Sequence, residues 1–277
     1  MINILTDSSC DLGKELIEQY QIHVIPLYVF LNDQTYSDGV NLDLQQLFDL
    51  VEKTGQLPKT SAPSVVEFST FFNRPGENIY IGIGSNISGT FSHALLACEN
   101  LDTQNTRLID SMNFSTGIGL LVLKAADLRD QGFPAEMIEN EIRASVPKVH
   151  SSFVLDRLDY VYMGGRVTSI QKIVGSMLKI RPVIELRPDG SLGIREKIGG
   201  SLKKALDSLL TDFRDHLPDL DTKRVFVTHT LCDSDAQYLV TEIKKMAPIE
   251  NLHVTLAGST IASHCGPGTI GILYMTK

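Results

Sequence analysis

Apolar positions in the first half of the chain follow two alternating rhythms. Short runs rich in β-branched and aromatic residues, at 2–6, 24–30, 78–83 and 107–110, predict strands. Between them, apolar residues recur at helical spacing over 12–20, 42–53, 65–73, 91–100, 115–131 and 136–146. Pro26 has no backbone N–H and places the second strand at a sheet edge. Strand–helix alternation of this kind predicts βαβ units on a parallel sheet. After residue 150 the rhythm changes. Strands are expected at 152–155, 183–186, 225–229, 252–256 and 269–274, with helices only at 201–215 and 233–247. Arg187-Pro188-Asp189-Gly190-Ser191 reads as a turn joining antiparallel strands. The expectation is an α/β chain of two domains, a parallel-sheet α/β unit at 1–150 and an α+β unit at 151–277.

Composition narrows the class. The 277 residues are 43% hydrophobic and 21% charged, which suits a soluble globular chain with a real core. No run approaches the ~18 apolar residues of a membrane span. The N-terminus carries no basic stretch followed by a long apolar one, so it does not read as a signal peptide. Cys10, Cys98, Cys232 and Cys265 are scattered without CxxC spacing. They read as reduced thiols of a cytoplasmic protein, not as a disulfide frame or zinc site. The net charge of −8 argues against nucleic acid as a partner and against a transcription regulator. Residues 1–150 hold 9 basic and 19 acidic residues, a net of −10, and 151–277 hold 16 and 14, a net of +2. The asymmetry suggests an anion-facing surface on the second unit, or simply unevenly placed solvated charge.

Candidate chemistry lies where strands of the first half end. Thr6-Asp7-Ser8-Ser9, Ser85 to Thr90 and Asp110-Ser111 are loops of hydroxyl and acidic residues that open helices. Each is either a helix cap or part of a ligand crevice at the carboxyl edge of a parallel sheet. Three at one edge favour a site. Ser88-Gly89-Thr90 is the best placed, because helix N-termini favour anions. Thr60-Ser61-Ala62-Pro63-Ser64 is a second hydroxyl cluster before a helix. No GxxxxGK[ST] or complete GxGxxG is present, and the loops are poor in lysine, so a small carboxylate suits them better than a polyphosphate. Gly164-Gly165-Arg166 can turn a guanidinium onto an anion or leave it solvated. Arg195 carries no distinguishing local pattern. His264, before Cys265-Gly266-Pro267-Gly268, either meets a carboxylate or satisfies turn backbone. A hydrolase would need a partnered serine, and neither Ser85 nor Ser88 stands in G-x-S-x-G.

Taken in order, these motifs resemble the DegV family of bacterial fatty-acid-binding proteins. The matching pieces are Thr6-Asp7-Ser8, Pro26-Leu27-Tyr28, Lys59-Thr60-Ser61-Ala62-Pro63-Ser64 and Ile87-Ser88-Gly89-Thr90-Phe91. They continue through Asp110-Ser111, Leu158-Asp159-Tyr160, Gly164-Gly165-Arg166, Leu178-Lys179-Ile180-Arg181-Pro182 and His264-Cys265-Gly266-Pro267-Gly268. The resemblance implies one long-chain fatty acid held between two α/β-type domains, with no other cofactor. Its carboxylate would meet Thr60, with Ser61 adjacent, and Ser88, with Gly89 and Thr90 adjacent; His264 would stand nearby. Arg166 and Arg195 are implied in contacts with a partner or in phosphoryl transfer. The implied role is non-enzymatic: the protein presents the acid to a separate fatty acid kinase subunit, which makes an acyl phosphate. Ala62 and Cys265 depart from residues common at those points of the family, but neither is an implied carboxylate donor. The alternative is a stand-alone small-molecule kinase related to dihydroxyacetone kinases, or an acyl hydrolase. Burying about 14 methylenes is worth on the order of 11 kcal/mol at ~0.8 kcal/mol each, before association costs. Tail burial would therefore dominate affinity, and the hydroxyls would orient the head.

Overall fold

The computed structural model describes residues 1–99, 105–165 and 180–277. The expected N-terminal strand is β1 (Ile2–Asp7), flanked by β2 (Ile22–Ile25) and β6 (Glu77–Gly82), with β7 (Thr106–Asp110) beyond. All three pairings are parallel, giving the order β2-β1-β6-β7. The sheet edge expected through Pro26 holds for β2 alone, because the segment 24–30 is not one strand and its second part is the middle strand of another sheet. The segment breaks at Pro26 into β2 and β3 (Tyr28–Leu31). β3 pairs antiparallel with β4 (Gln34–Ser37) and β5 (Lys59–Ser61) in a separate three-stranded sheet.

The six-stranded sheet runs β10-β9-β8-β13-β11-β12. Its strands are β8 (Val149–Val154), β9 (Ile180–Leu186), β10 (Leu192–Gly199), β11 (Leu220–His229), β12 (Asn251–Leu256) and β13 (Ile270–Thr276). Only β11 and β12 pair in parallel. The expected turn joins β9 to β10, with the Arg187 N–H donating to the Ser191 carbonyl.

Helix α5 (Thr116–Asp130) explains how the two larger sheets meet. Its run Thr116 to Leu123 is buried at every position, so it has no polar face. It touches β1 and β6 on one side and β8, β11 and β13 on the other. One apolar cluster therefore joins Ile4, Ile79 and Ile109 through Leu121 to Phe226 and Leu273. The far face of the six-stranded sheet is covered by α8 (Leu202–Asp215) and α9 (Asp233–Met246), through Leu209, Phe213 and Leu239. The remaining helices are α1 (Lys14–Gln19), α2 (Leu44–Thr54), α3 (Val65–Phe72), α4 (Thr90–Glu99), α6 (Ala135–Ser145), α7 (Asp159–Gly164) and α10 (Ser259–Cys265). None of the described helices is long and apolar enough to cross a membrane.

Candidate functional site

A cavity of about 250 Å³ opens where the three sheets converge. Much of its wall is carbon, including Ile83, Phe114, Phe153, Val161, Leu192 and Leu273. Thr60, Ser61, Ser88, Gly89, His93 and His264 bring polar groups to it.

Thr60 and Ser61 stand at the end of β5, directly before the first turn of α3. Ser64 caps that helix, accepting from the Glu67 N–H, so its hydroxyl is spent locally. His264 comes from α10. The motif read as a loop is in fact the end of a helix: Gly266, at φ 75°, stops it, and Pro267 cannot continue it. A side chain at 266 would also strike the Tyr160 ring. α10 thereby sets His264 Nε2 2.7 Å from Thr60 Oγ1.

The direction of that bond decides what Thr60 can do. A hydroxyl has one proton. If Thr60 gives it to His264, only lone pairs remain, and these repel a carboxylate. If His264 donates Nε2–H, the Thr60 proton is available to a ligand oxygen.

Ser88 repeats the arrangement. Its Oγ accepts from the Thr90 N–H at 3.2 Å and lies 2.8 Å from Thr90 Oγ1. Thr90 is fully buried and stands behind Ser88, not on the cavity wall. With Thr90 donating, the Ser88 proton is released toward the cavity. Gly89 stands directly before α4, its carbonyl accepting from the Ser92 and His93 N–H groups. Nothing lies within 4 Å of where a Cβ would stand on it.

The other two strand-end loops serve the fold instead. Asp7 is buried and accepts from Ser9, from the Tyr80 hydroxyl and from the Ile83 N–H. Burial raises its pKa above the usual carboxylate value, and those donors pull against it. Asp110 accepts from the Ser85 and Met112 N–H groups, and Ser111 Oγ bonds within its own turn.

Sequence reasoning missed His93. Its Nδ1 lies 2.7 Å from the Pro63 carbonyl, so Nδ1 carries a proton. The only signal was its place four residues after Gly89, one helical turn into α4. His229, at the end of β11, also lines the cavity. Its Nδ1 accepts from the Cys232 N–H, and burial lowers its pKa, so the ring is neutral. The Cys265 thiol is held up at about 12 by burial and is unreactive there. Arg195 is not on the wall. It pairs with Asp212 at 2.7 Å and donates to the Ser208 carbonyl. Arg166 lies outside the described residues.

Over residues 1–277 the sequence matches the DegV family, described as uncharacterised proteins. A DegV domain-containing protein of Caldanaerobacter subterraneus is 31% identical, over 100% of this chain and 99% of its own. A fatty-acid-binding DegV family protein of Thermus thermophilus has the same fold at a TM-score of 0.92 and 27% identity, covering 100% of this chain and 99% of its own. The structure of DegV, a fatty-acid-binding protein of Bacillus subtilis, superposes at 0.88 and 30% identity with the same coverage. Fatty-acid binding is thus a property found in relatives of this fold. The chain belongs to the DegV family.

Proposed function

We propose that this protein binds one long-chain fatty acid between its two units, 1–150 and 151–277. The carboxylate sits on the Thr60 and Ser88 hydroxyls, with Ser61, Gly89, Thr90 and His264 around them. The tail lies along Phe114, Phe153 and Leu192. The observation that carries this reading is the paired construction of the head site. Each forward hydroxyl is backed by a second group able to donate to it, so each can spend its own proton on the ligand. A buried carboxylate without such donors is costly. An apolar wall beside a small hydroxyl cluster matches a molecule with one acidic end and a long hydrocarbon body. Relatives that bind fatty acids with this fold support the same reading.

The protein acts as a carrier, not a catalyst, and presents the acid to a separate kinase subunit that forms the acyl phosphate. Arg195 and Arg166 are placed in this reading as partner contacts. The Arg195 side chain is held by Asp212 and Ser208, which fixes its guanidinium ahead of any encounter.

Mass spectrometry of organic extracts from the purified protein tests the reading. One long-chain fatty acid per chain is expected. The double variant Thr60→Ala, Ser88→Ala should retain much less and yield less acyl phosphate with a fatty acid kinase. Unchanged lipid and unchanged phosphorylation would overturn the head-group assignment.

A further inference from the structure

One buried hydroxyl of the cavity wall has no partner among the described residues. Thr260 lines the cavity and is 3% exposed. Its Oγ1 has no hydrogen-bond partner among the described residues. Its neighbours differ. Thr228 Oγ1 meets Thr116 Oγ1 at 2.6 Å and Thr255 Oγ1 at 3.0 Å. Thr230 donates to the Gly266 carbonyl, and Thr269 to the Cys265 carbonyl. On α10 itself, Ser259 donates to Asp38 and Ser263 to the Ser259 carbonyl.

Position in the helix explains the exception. A helical threonine usually gives its proton to the carbonyl four residues back. Thr260 is the second residue of α10, and Leu256 still belongs to β12. No helical carbonyl is there to receive it. An unmet buried hydroxyl is unfavourable, so its retention on a ligand-sized cavity points to a ligand oxygen.

Register places that oxygen. Thr260 and His264 are four residues apart, neighbours on one face of α10 at roughly 5–6 Å between Cβ atoms. His264 reaches Thr60 at the head site. Thr260 therefore serves the stretch of chain just beyond the carboxyl group. Threonine in a helix uses two χ1 rotamers. One turns the methyl inward against a plain chain, and the other turns the hydroxyl inward.

We propose that Thr260 recognises a hydroxyl group on the first carbons of the acyl chain, so that 3-hydroxy long-chain acids are ligands alongside unsubstituted ones. The proposal rests on the fatty-acid reading and names the ligand class of that same cavity.

The test is displacement of a fluorescent lipid from the full chain by hexadecanoic acid and by 3-hydroxyhexadecanoic acid. A wall of carbon alone disfavours an added hydroxyl by up to about a hundredfold. The wild type is expected to bind the two acids within about threefold of each other. Thr260→Val should weaken the hydroxy acid about five- to tenfold, the loss of one hydrogen bond, and leave hexadecanoic acid unchanged. Thr260→Ser should restore the hydroxy acid. Equal loss of both acids, no change in either, or strong rejection of the hydroxy acid by the wild type overturns the proposal. If hexadecanoic acid itself fails to bind the wild type, the fatty-acid reading falls and this proposal falls with it. Hexadecanoic acid binding also reports that each variant has folded.

Discussion

Thr60 and His264 are 204 positions apart in sequence and meet at 2.7 Å on the cavity wall. The contact joins β5 to α10, so the head site exists only when the first and last parts of the chain are both folded. If His264 supplies the proton of this bond and Thr60 passes its own to the carboxylate, the two act as one donor. Thr60→Val and His264→Phe should each weaken hexadecanoic acid binding about tenfold, the loss of a hydrogen bond to a charged group. The double variant should lose little beyond either single one, a coupling of about 1 kcal/mol or more. Calorimetric titration of the four proteins checks this. Additive losses would mean that the residues act independently.

Thr90 makes a similar prediction with a different shape. It is fully buried, and its hydroxyl bonds only to Ser88 among the described residues. Thr90→Val keeps the volume and removes the donor. The buried hydroxyl's net contribution is about 1 kcal/mol, so thermal stability should fall by only a few degrees. Lipid affinity should drop to the level of Ser88→Ala, because the Ser88 proton is no longer directed outward. Full affinity in Thr90→Val would show that Thr90 does not orient Ser88.

The parallel sheet and α5 were legible in the sequence through the length of their apolar runs: six residues bounded by turn residues read as a strand in β1 and β6, and fifteen as a helix in α5. β4 and β5 were not. They are four and three residues long and read Gln34-Thr35-Tyr36-Ser37 and Lys59-Thr60-Ser61, without alternation. Their strand state is imposed by pairing with β3. α10 was hidden for a related reason. It is seven residues long and rich in Ser and Thr, and its Gly-Pro-Gly ending resembles a loop when the helix before it goes unseen. The hydroxyls of the site were legible as residue types near helix starts. Their pairing was not, because Thr60 and His264 are brought together by tertiary structure alone.

Asp11 gives a pH dependence. Its Oδ1 accepts from the Gly258 N–H at 2.7 Å, and Ser115 Oγ donates to Oδ2 at 2.5 Å. Burial, aided by the nearby Asp38 and Asp7 charges, raises its pKa well above 3.8 despite those donors. An acid more easily protonated in the fold than in the unfolded chain costs nothing below its unfolded pKa. The cost appears as pH rises from there and is complete above the folded pKa. Asn fits the same place: it tolerates the φ of 52°, can accept from Gly258 and can donate to Ser115. The melting temperature of Asp11→Asn should match the wild type near pH 4 and exceed it by roughly 2–4 °C near pH 8, for each kcal/mol relieved. A difference that does not grow with pH contradicts this account.

Gly271 lies on the sheet wall of the cavity, where β13 runs close against β8. It pairs with Phe153 across β13 and β8. A Cβ there would stand 2.7 Å from the Ser152 carbonyl oxygen and 2.9 Å from Phe153 Cβ. Neither atom is the end of a flexible chain, so the strands themselves must part. Gly271→Ala should cost about 1–3 kcal/mol of stability and reduce bound lipid, since Gly271 and Phe153 both line the cavity. Gly89→Ala is the matched control, with nothing within 4 Å of its Cβ and no left-handed φ. It should stay within about 0.5 kcal/mol of the wild type. Thermal denaturation of both variants, with extraction of their lipid, separates a wall built on close strand approach from one that merely happens to hold a glycine. In the first case Gly271→Ala melts several degrees early, and in the second it melts with Gly89→Ala.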